Sequence, residues 1–141
     1  MEKVLLIADE EVQRRELAER LIELGHQVSE ASSSNEGLAI LDRLHGSGSA
    51  CSLVLCELHM KGAAGRDFLV RLRGSPFYNV PIILVTLVIE KPVLQDLVKC
   101  GVDGVLCRPF SIETLKREME AAKKRRDAVE LRDLMKMSGI K

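Results

Sequence analysis

No apolar run in this chain approaches the ~20 residues needed to span a bilayer. The N-terminus opens straight into a strand-like segment, without the basic region, apolar core and small-residue cleavage site of a secretion signal, so a soluble cytoplasmic protein is expected. Net charge is also missing: 21 Lys and Arg stand against 21 Asp and Glu, and bulk electrostatics therefore does not point to nucleic acid or an acidic surface. The four cysteines, Cys51, Cys56, Cys100 and Cys107, lack CxxC spacing and each lies in or beside an apolar segment. They read as buried reduced thiols acting as small hydrophobes rather than as a redox or metal centre. His45 and His59 have no ligand-spaced partners, and His26 is expected on an exposed strand start. Internal repeats and low-complexity segments are absent. So is a Gly-rich phosphate loop after the first apolar run, where Asp9-Glu10-Glu11 would repel phosphate.

What is present is an alternation of short apolar runs with helix-period segments. At 141 residues the chain is one domain with a short appendage. Residues 3–8, 27–31, 51–56, 81–86 and 102–107 read as strands, the fourth entered through Pro81 as strand starts permit. Between them, residues 11–24 carry Leu17, Leu21 and Leu24 on one helical face, with Gly25 as a stop. Ser32–Ser34 offers N-caps for a helix through Leu44, bearing Leu38, Leu41 and Leu44. Residues 65–73 form a third helix with Phe68, Leu69 and Leu72 apolar, ended by Gly74-Ser75-Pro76. Residues 92–100 form a fourth, with proline in its first turn and Gly101 after its end. Ser111 caps a last helix with Ile112, Leu115, Met119 and Ala122 on its apolar seam. Five β/α units of this kind argue a doubly wound α/β sandwich around a central parallel sheet. The crevice of such a sheet lies at the strand carboxyl ends, where Asp9, Glu10, Glu57, Thr86 and Arg108 fall.

Over residues 3 to about 122 the chain resembles a response-regulator receiver domain. The resemblance rests on Asp9-Glu10 after strand 1, Glu57 after strand 3, Thr86 after strand 4 and Arg108-Pro109 after strand 5. It extends to Leu58-His59-Met60, to Gly65 opening helix 3, and to Gly101-Val102-Asp103-Gly104 leading into strand 5. It implies a flavodoxin-like sheet of order 2-1-3-4-5. It also implies an acceptor position at Glu57, a switch residue at Thr86, a conserved-type Lys position held by Arg108, and a Mg²⁺ site at Asp9, Glu10 and Glu57. The implied partners are a histidine kinase or a downstream effector, met through helix 4, strand 5 and helix 5.

Several residues depart from the family pattern. Glu57 stands where the acceptor is Asp, and its extra methylene extends the carboxylate by about 1.5 Å; a misplacement of ~1 Å at a reacting centre costs about 100-fold in rate. Glu10 lengthens a second would-be metal ligand, and Mg²⁺ demands near-ideal octahedral geometry. Arg108 replaces a compact ammonium with a rigid fork suited to a carboxylate, so a Glu57–Arg108 ion pair across the pocket is expected. Three clustered carboxylates call for such a cation. Leu87 follows Thr86 where a small residue is usual, and is expected to narrow the approach of a phosphodonor. Lys61 takes the place of a frequent Pro, and Val105 that of an aromatic switch residue. Asp67 lies on helix 3, away from the pocket.

The favoured expectation is therefore a non-enzymatic, stand-alone pseudo-receiver that binds protein partners without phosphorylation and holds no cofactor, or only a weakly bound Mg²⁺. Two states are open to it: an on-like one with Thr86 drawn towards Glu57, and an off-like one with Arg108 holding Glu57 away. The alternative is a Mg²⁺-dependent receiver that still accepts a phosphoryl group on Glu57; a ligand-binding flavodoxin-like domain ranks last. Residues 1–122 are expected to form the receiver and 123–141 a basic helical extension. The extension is either solvated or prolongs the last helix so that it self-associates or docks a partner. Its run Lys123-Lys124-Arg125-Arg126, lacking aromatics, is a weak signal for nucleic acid.

Overall fold

The computed structural model describes residues 1–61, 64–137 and 139. Strands and helices alternate throughout: β1 Lys3–Ile7, α1 Glu11–Glu23, β2 Gln27–Ala31, α2 Ser34–Gly46, β3 Leu53–Glu57, α3 Ala64–Arg73, β4 Ile82–Thr86, α4 Lys91–Lys99, β5 Gly104–Cys107 and α5 Ile112–Met137. All four strand pairings are parallel, and the sheet order is β2-β1-β3-β4-β5. Parallel strands require crossovers, and the intervening helices supply them on both faces. Successive side chains of a strand point to opposite faces. Accordingly, Leu5, Ile7, Val54 and Cys56 pack with Ile40, Leu41, Phe68, Leu69, Leu72 and Leu97 in one layer. Val4, Leu6, Leu53 and Leu55 pack with Leu17, Leu21, Leu115 and Met119 in the other.

Local chemistry sets the element ends. Ser33 accepts from the Glu36 amide and caps α2. Helices α1 and α4 both stop on a left-handed glycine, Gly25 at φ 92° and Gly101 at φ 97°. In each case the two closing amide bonds satisfy the last carbonyls: His26 to Leu21 with Gly25 to Ile22, and Val102 to Leu97 with Gly101 to Val98. β3 begins two residues later than the apolar pattern suggests, because the Ser52 hydroxyl accepts from the Lys3 amide and donates to Glu2. β5 begins at Gly104 because Asp103 turns inward, where its carboxylate accepts from the Ile82 amide at 2.9 Å.

Three expectations change. Cys56 is buried and Cys51 and Cys100 are half-buried, but Cys107 is exposed, because it ends an edge strand that no further strand covers. His26 is half-buried rather than exposed, and its Nδ1 accepts from the Glu2 amide at 2.9 Å. The basic run of α5 is engaged in part, with Lys124 and Arg125 still exposed. Lys123 pairs with Glu2, Arg125 with Glu118, and Arg126 is buried against Asp103. Helix α5 runs without a break from Ile112 to Met137. No described helix is long and apolar enough to cross a membrane.

Candidate functional site

Five polar side chains, Asp9, Glu10, Glu57, Thr86 and Arg108, stand at the carboxyl ends of β1, β3, β4 and β5. Two of them are joined directly. Arg108 Nη1 donates to Glu57 Oε1 at 2.7 Å, and Nη2 lies 2.7 Å from Oε2. The guanidinium thus faces both carboxylate oxygens, with one charge-assisted hydrogen bond and a second close charged contact. The pair is sheltered, with 14% of the Glu57 side chain and 21% of the Arg108 side chain exposed. Its placement follows from register: Glu57 lies opposite Val85 on β4, and Thr86 opposite Cys107 on β5. The Arg108 amide donates to the Thr86 carbonyl at 2.8 Å, which fixes the base of the side chain one residue past the sheet. The Arg108–Pro109 peptide is cis.

The remaining acids have partners of other kinds. Asp9 accepts from the Lys61 amide at 3.2 Å, tying the end of β1 to the β3–α3 loop. Glu10 is turned away to cap α1, where its two oxygens accept from the amides of Val12 at 3.2 Å and Gln13 at 2.8 Å. A carboxylate at a helix N-terminus answers both the orphan amides and the helix dipole. Arg14, one turn into α1, donates to the Ala8 carbonyl at 2.8 Å and to Glu30 at 3.1 Å, holding the β1 end in place. Thr86 is buried, and its hydroxyl donates to the Val88 carbonyl at 3.1 Å. Gly65 allows α3 to start directly over this end of β3, since a Cβ there would run into the Glu57 and Leu58 carbonyl oxygens.

The structure thus brings together Glu57 and Arg108, ties the Thr86 hydroxyl to the loop that follows β4, and gives Asp9 and Glu10 to neighbouring backbone. Leu87 is exposed, Val105 half-buried on β5, and His59 exposed. Asp67 lies on the surface of α3, 3.6 Å from Arg71. The resemblance to receiver domains implies Mg²⁺ at Asp9, Glu10 and Glu57. Both Glu57 oxygens are held by a cation, both Glu10 oxygens by α1, and one Asp9 oxygen by a backbone amide. Mg²⁺ needs several oxygens converging at about 2.0–2.1 Å. In this arrangement the carboxylates do not fit it. Among the described residues no group of three His, Cys, Asp or Glu is placed to hold a metal ion.

A second polar cluster, at the opposite end of the sheet, is one that sequence reasoning missed. Asp103, 4% exposed, accepts from Arg73 at 2.6 Å, Arg126 at 2.9 Å and the Ile82 amide at 2.9 Å. The Gly101 carbonyl takes further bonds from Arg73 and from Arg126. Burial pulls the Arg73 guanidinium down to about 10, against the pull of Asp103, so it stays protonated at neutral pH. The signal was in the seam of α5. Arg126 follows Ala122 at the spacing of Leu115, Met119 and Ala122, and a charge on a buried stripe implies a buried counter-charge.

An open parallel sheet of order 2-1-3-4-5, with acids beyond β1 and β3 and a cation beyond β5, defines a flavodoxin-like domain of the receiver class. Residues 4–120 match the family model described as the response regulator receiver domain, and the chain belongs to that family. It is 29% identical over 122 residues to a probable chemotaxis protein CheY of Rhizobium etli, covering 84% of this chain and 90% of that protein. It is 30% identical over 139 residues to a probable transcriptional regulator, ycf27, of Porphyridium aerugineum. That match covers 99% of this chain but 55% of the regulator, so the chain spans about half its length. Among solved structures, Vibrio cholerae CheY4 superposes with a TM-score of 0.76 at 24% identity, covering 86% of this chain and 98% of that one. This last likeness speaks for the fold.

Proposed function

We propose that this receiver domain signals by protein contact rather than by phosphoryl transfer, with Glu57 standing at the acceptor position. The observation that carries the reading is the Glu57–Arg108 ion pair, which sets a guanidinium nitrogen 2.7 Å from each oxygen of the acceptor-position carboxylate. An attacking oxygen needs a free lone pair aimed at phosphorus, and here Oε1 accepts a charge-assisted bond while Oε2 lies against the same guanidinium. Thr86 makes its hydrogen bond to Val88 rather than to Glu57. This favours the off-like state, in which the negative charge on Glu57 does not draw the switch residue inward.

The contact surface in this reading is the α4–β5–α5 face. Leu87, Val88, Val93, Leu94 and Val98 are all exposed on the β4–α4 loop and α4. Exposed aliphatic side chains gathered within twelve residues give a protein partner apolar area to bury. A histidine kinase or a downstream effector is the proposed partner. Pairing of a second copy along the end of α5 is supported by exposed Leu131, Leu134 and Met137.

The test is incubation with Mg²⁺ and acetyl phosphate, followed by intact-mass measurement. No adduct is expected on the native protein, and a stoichiometric acyl phosphate on Glu57 overturns the reading. Glu57→Asp combined with Arg108→Lys restores part of the acceptor chemistry, because that pair shortens the carboxylate and replaces the fork with a point charge.

A further inference from the structure

We infer that Arg108 is the pocket's own counter-cation, and that its guanidinium, rather than the length of Glu57, is what keeps a divalent cation out. The inference rests on the reading above and names the residue that enforces it. The fork spans both Glu57 oxygens at 2.7 Å in a pocket where little of either side chain reaches solvent. Its backbone is pinned by the amide bond to Thr86. A guanidinium does not deprotonate in a protein, so it cannot yield its place by losing charge. A metal would have to displace it from Glu57 and then sit beside it as a like charge. A lysine at this position would use a single nitrogen and leave one carboxylate oxygen free; the arginine leaves none. Asp9, at the carboxyl end of β1, is held by the Lys61 amide through one oxygen, which a cation could share without breaking the fold.

The test is thermal melting, without any phosphodonor, in MgCl₂ against NaCl of matched ionic strength. Four proteins are compared: the native chain, Arg108→Ala, Arg108→Met, and Arg108→Met with Glu57→Gln. The native Tm is expected to stay flat. The two single variants are expected to melt lower in NaCl and to regain about 3–6 °C when Mg²⁺ reaches tenfold its Kd. The double variant, which lacks the uncompensated carboxylate, is expected to show no response.

A native protein that gains as much from Mg²⁺ as the single variants overturns the inference. Single variants that fold but respond no more than the double variant overturn it as well. A single variant that folds only when Mg²⁺ is present supports it. If both single variants are unfolded with and without Mg²⁺, Arg108 is a general structural residue and the inference falls. Because the readout is melting, its failure is separate from that of the acyl-phosphate assay.

Discussion

At Asp103 three donors converge on one buried carboxylate, two of them guanidinium groups from helices far apart in the chain. Removing that carboxylate leaves Arg73 and Arg126 facing each other without a counter-charge, and strands the Ile82 amide. Breaking a buried ion pair by deleting one partner costs about 3–5 kcal/mol, a large share of a domain stability of about 5–15 kcal/mol. Asp103→Ala is therefore expected to lower Tm by roughly 10 °C or more. Asp67→Ala, which loses only an exposed contact to Arg71, is expected to stay within about 0.5 kcal/mol of the native protein. Chemical denaturation of both variants side by side checks the contrast. Glu57 and Arg108 differ from this cluster in one respect: their identities were legible in the sequence because each ends an apolar run. Asp103 was not, because nothing local distinguishes an aspartate that turns inward from one that opens a loop.

Among the elements, the strands and the first four helices were legible from periodicity, and their ends from Ser, Pro and Gly chemistry. Where ends moved, as at β3 and β5, a side chain from a distant segment had captured the backbone, which no local pattern encodes. α5 shows the same effect at larger scale. Its sequence past Ala122 reads as a charged, solvated stretch, because the partners of that charge lie in other parts of the chain. Lys123 reaches Glu2, Arg126 reaches Asp103, and Glu130 accepts from Asn79 at 2.7 Å. Truncation after residue 122 is accordingly expected to cost several kcal/mol, by the same reasoning as for Asp103. Truncation after residue 130 keeps these three contacts and is expected to leave Tm within a few degrees of the native value. Melting curves of the two shortened chains decide this; equal loss in both would show that the anchoring lies beyond residue 130.

Over the whole molecule, stability should depend on pH through the end of the sheet opposite the acids. His26 is held neutral there: its Nδ1 accepts from the Glu2 amide, which leaves the proton on Nε2. Burial pushes its pKa below the usual 6.5; nearby Glu2 opposes this, while the N-terminus and Lys123 add to it. The folded state thus binds a proton on His26 less readily than the unfolded chain does. The contribution of this group is complete above pH 6.5 and is lost as pH falls from there through the lowered folded value. Glu2 has the same sign in a lower window. Its pKa lies below 4.5; burial opposes the shift, but bonds from Lys123 and Ser52 outweigh it. Unfolding free energy measured between pH 7 and pH 5 is expected to fall, and His26→Gln to flatten that fall. An unchanged slope in the variant would assign the dependence to other groups.

The exposed end of β5 offers one further use. Burial pushes the Cys51 thiol up to about 11 and the Cys56 thiol higher still, which makes both poor nucleophiles. Cys107 is the one exposed cysteine, and the next residue along the chain is Arg108. A maleimide fluorophore added at neutral pH should favour that position, and its emission would then follow whether the neighbouring fork is closed on Glu57 or swung free. Partner binding at α4 could in this way be watched from the residue beside Arg108 in real time.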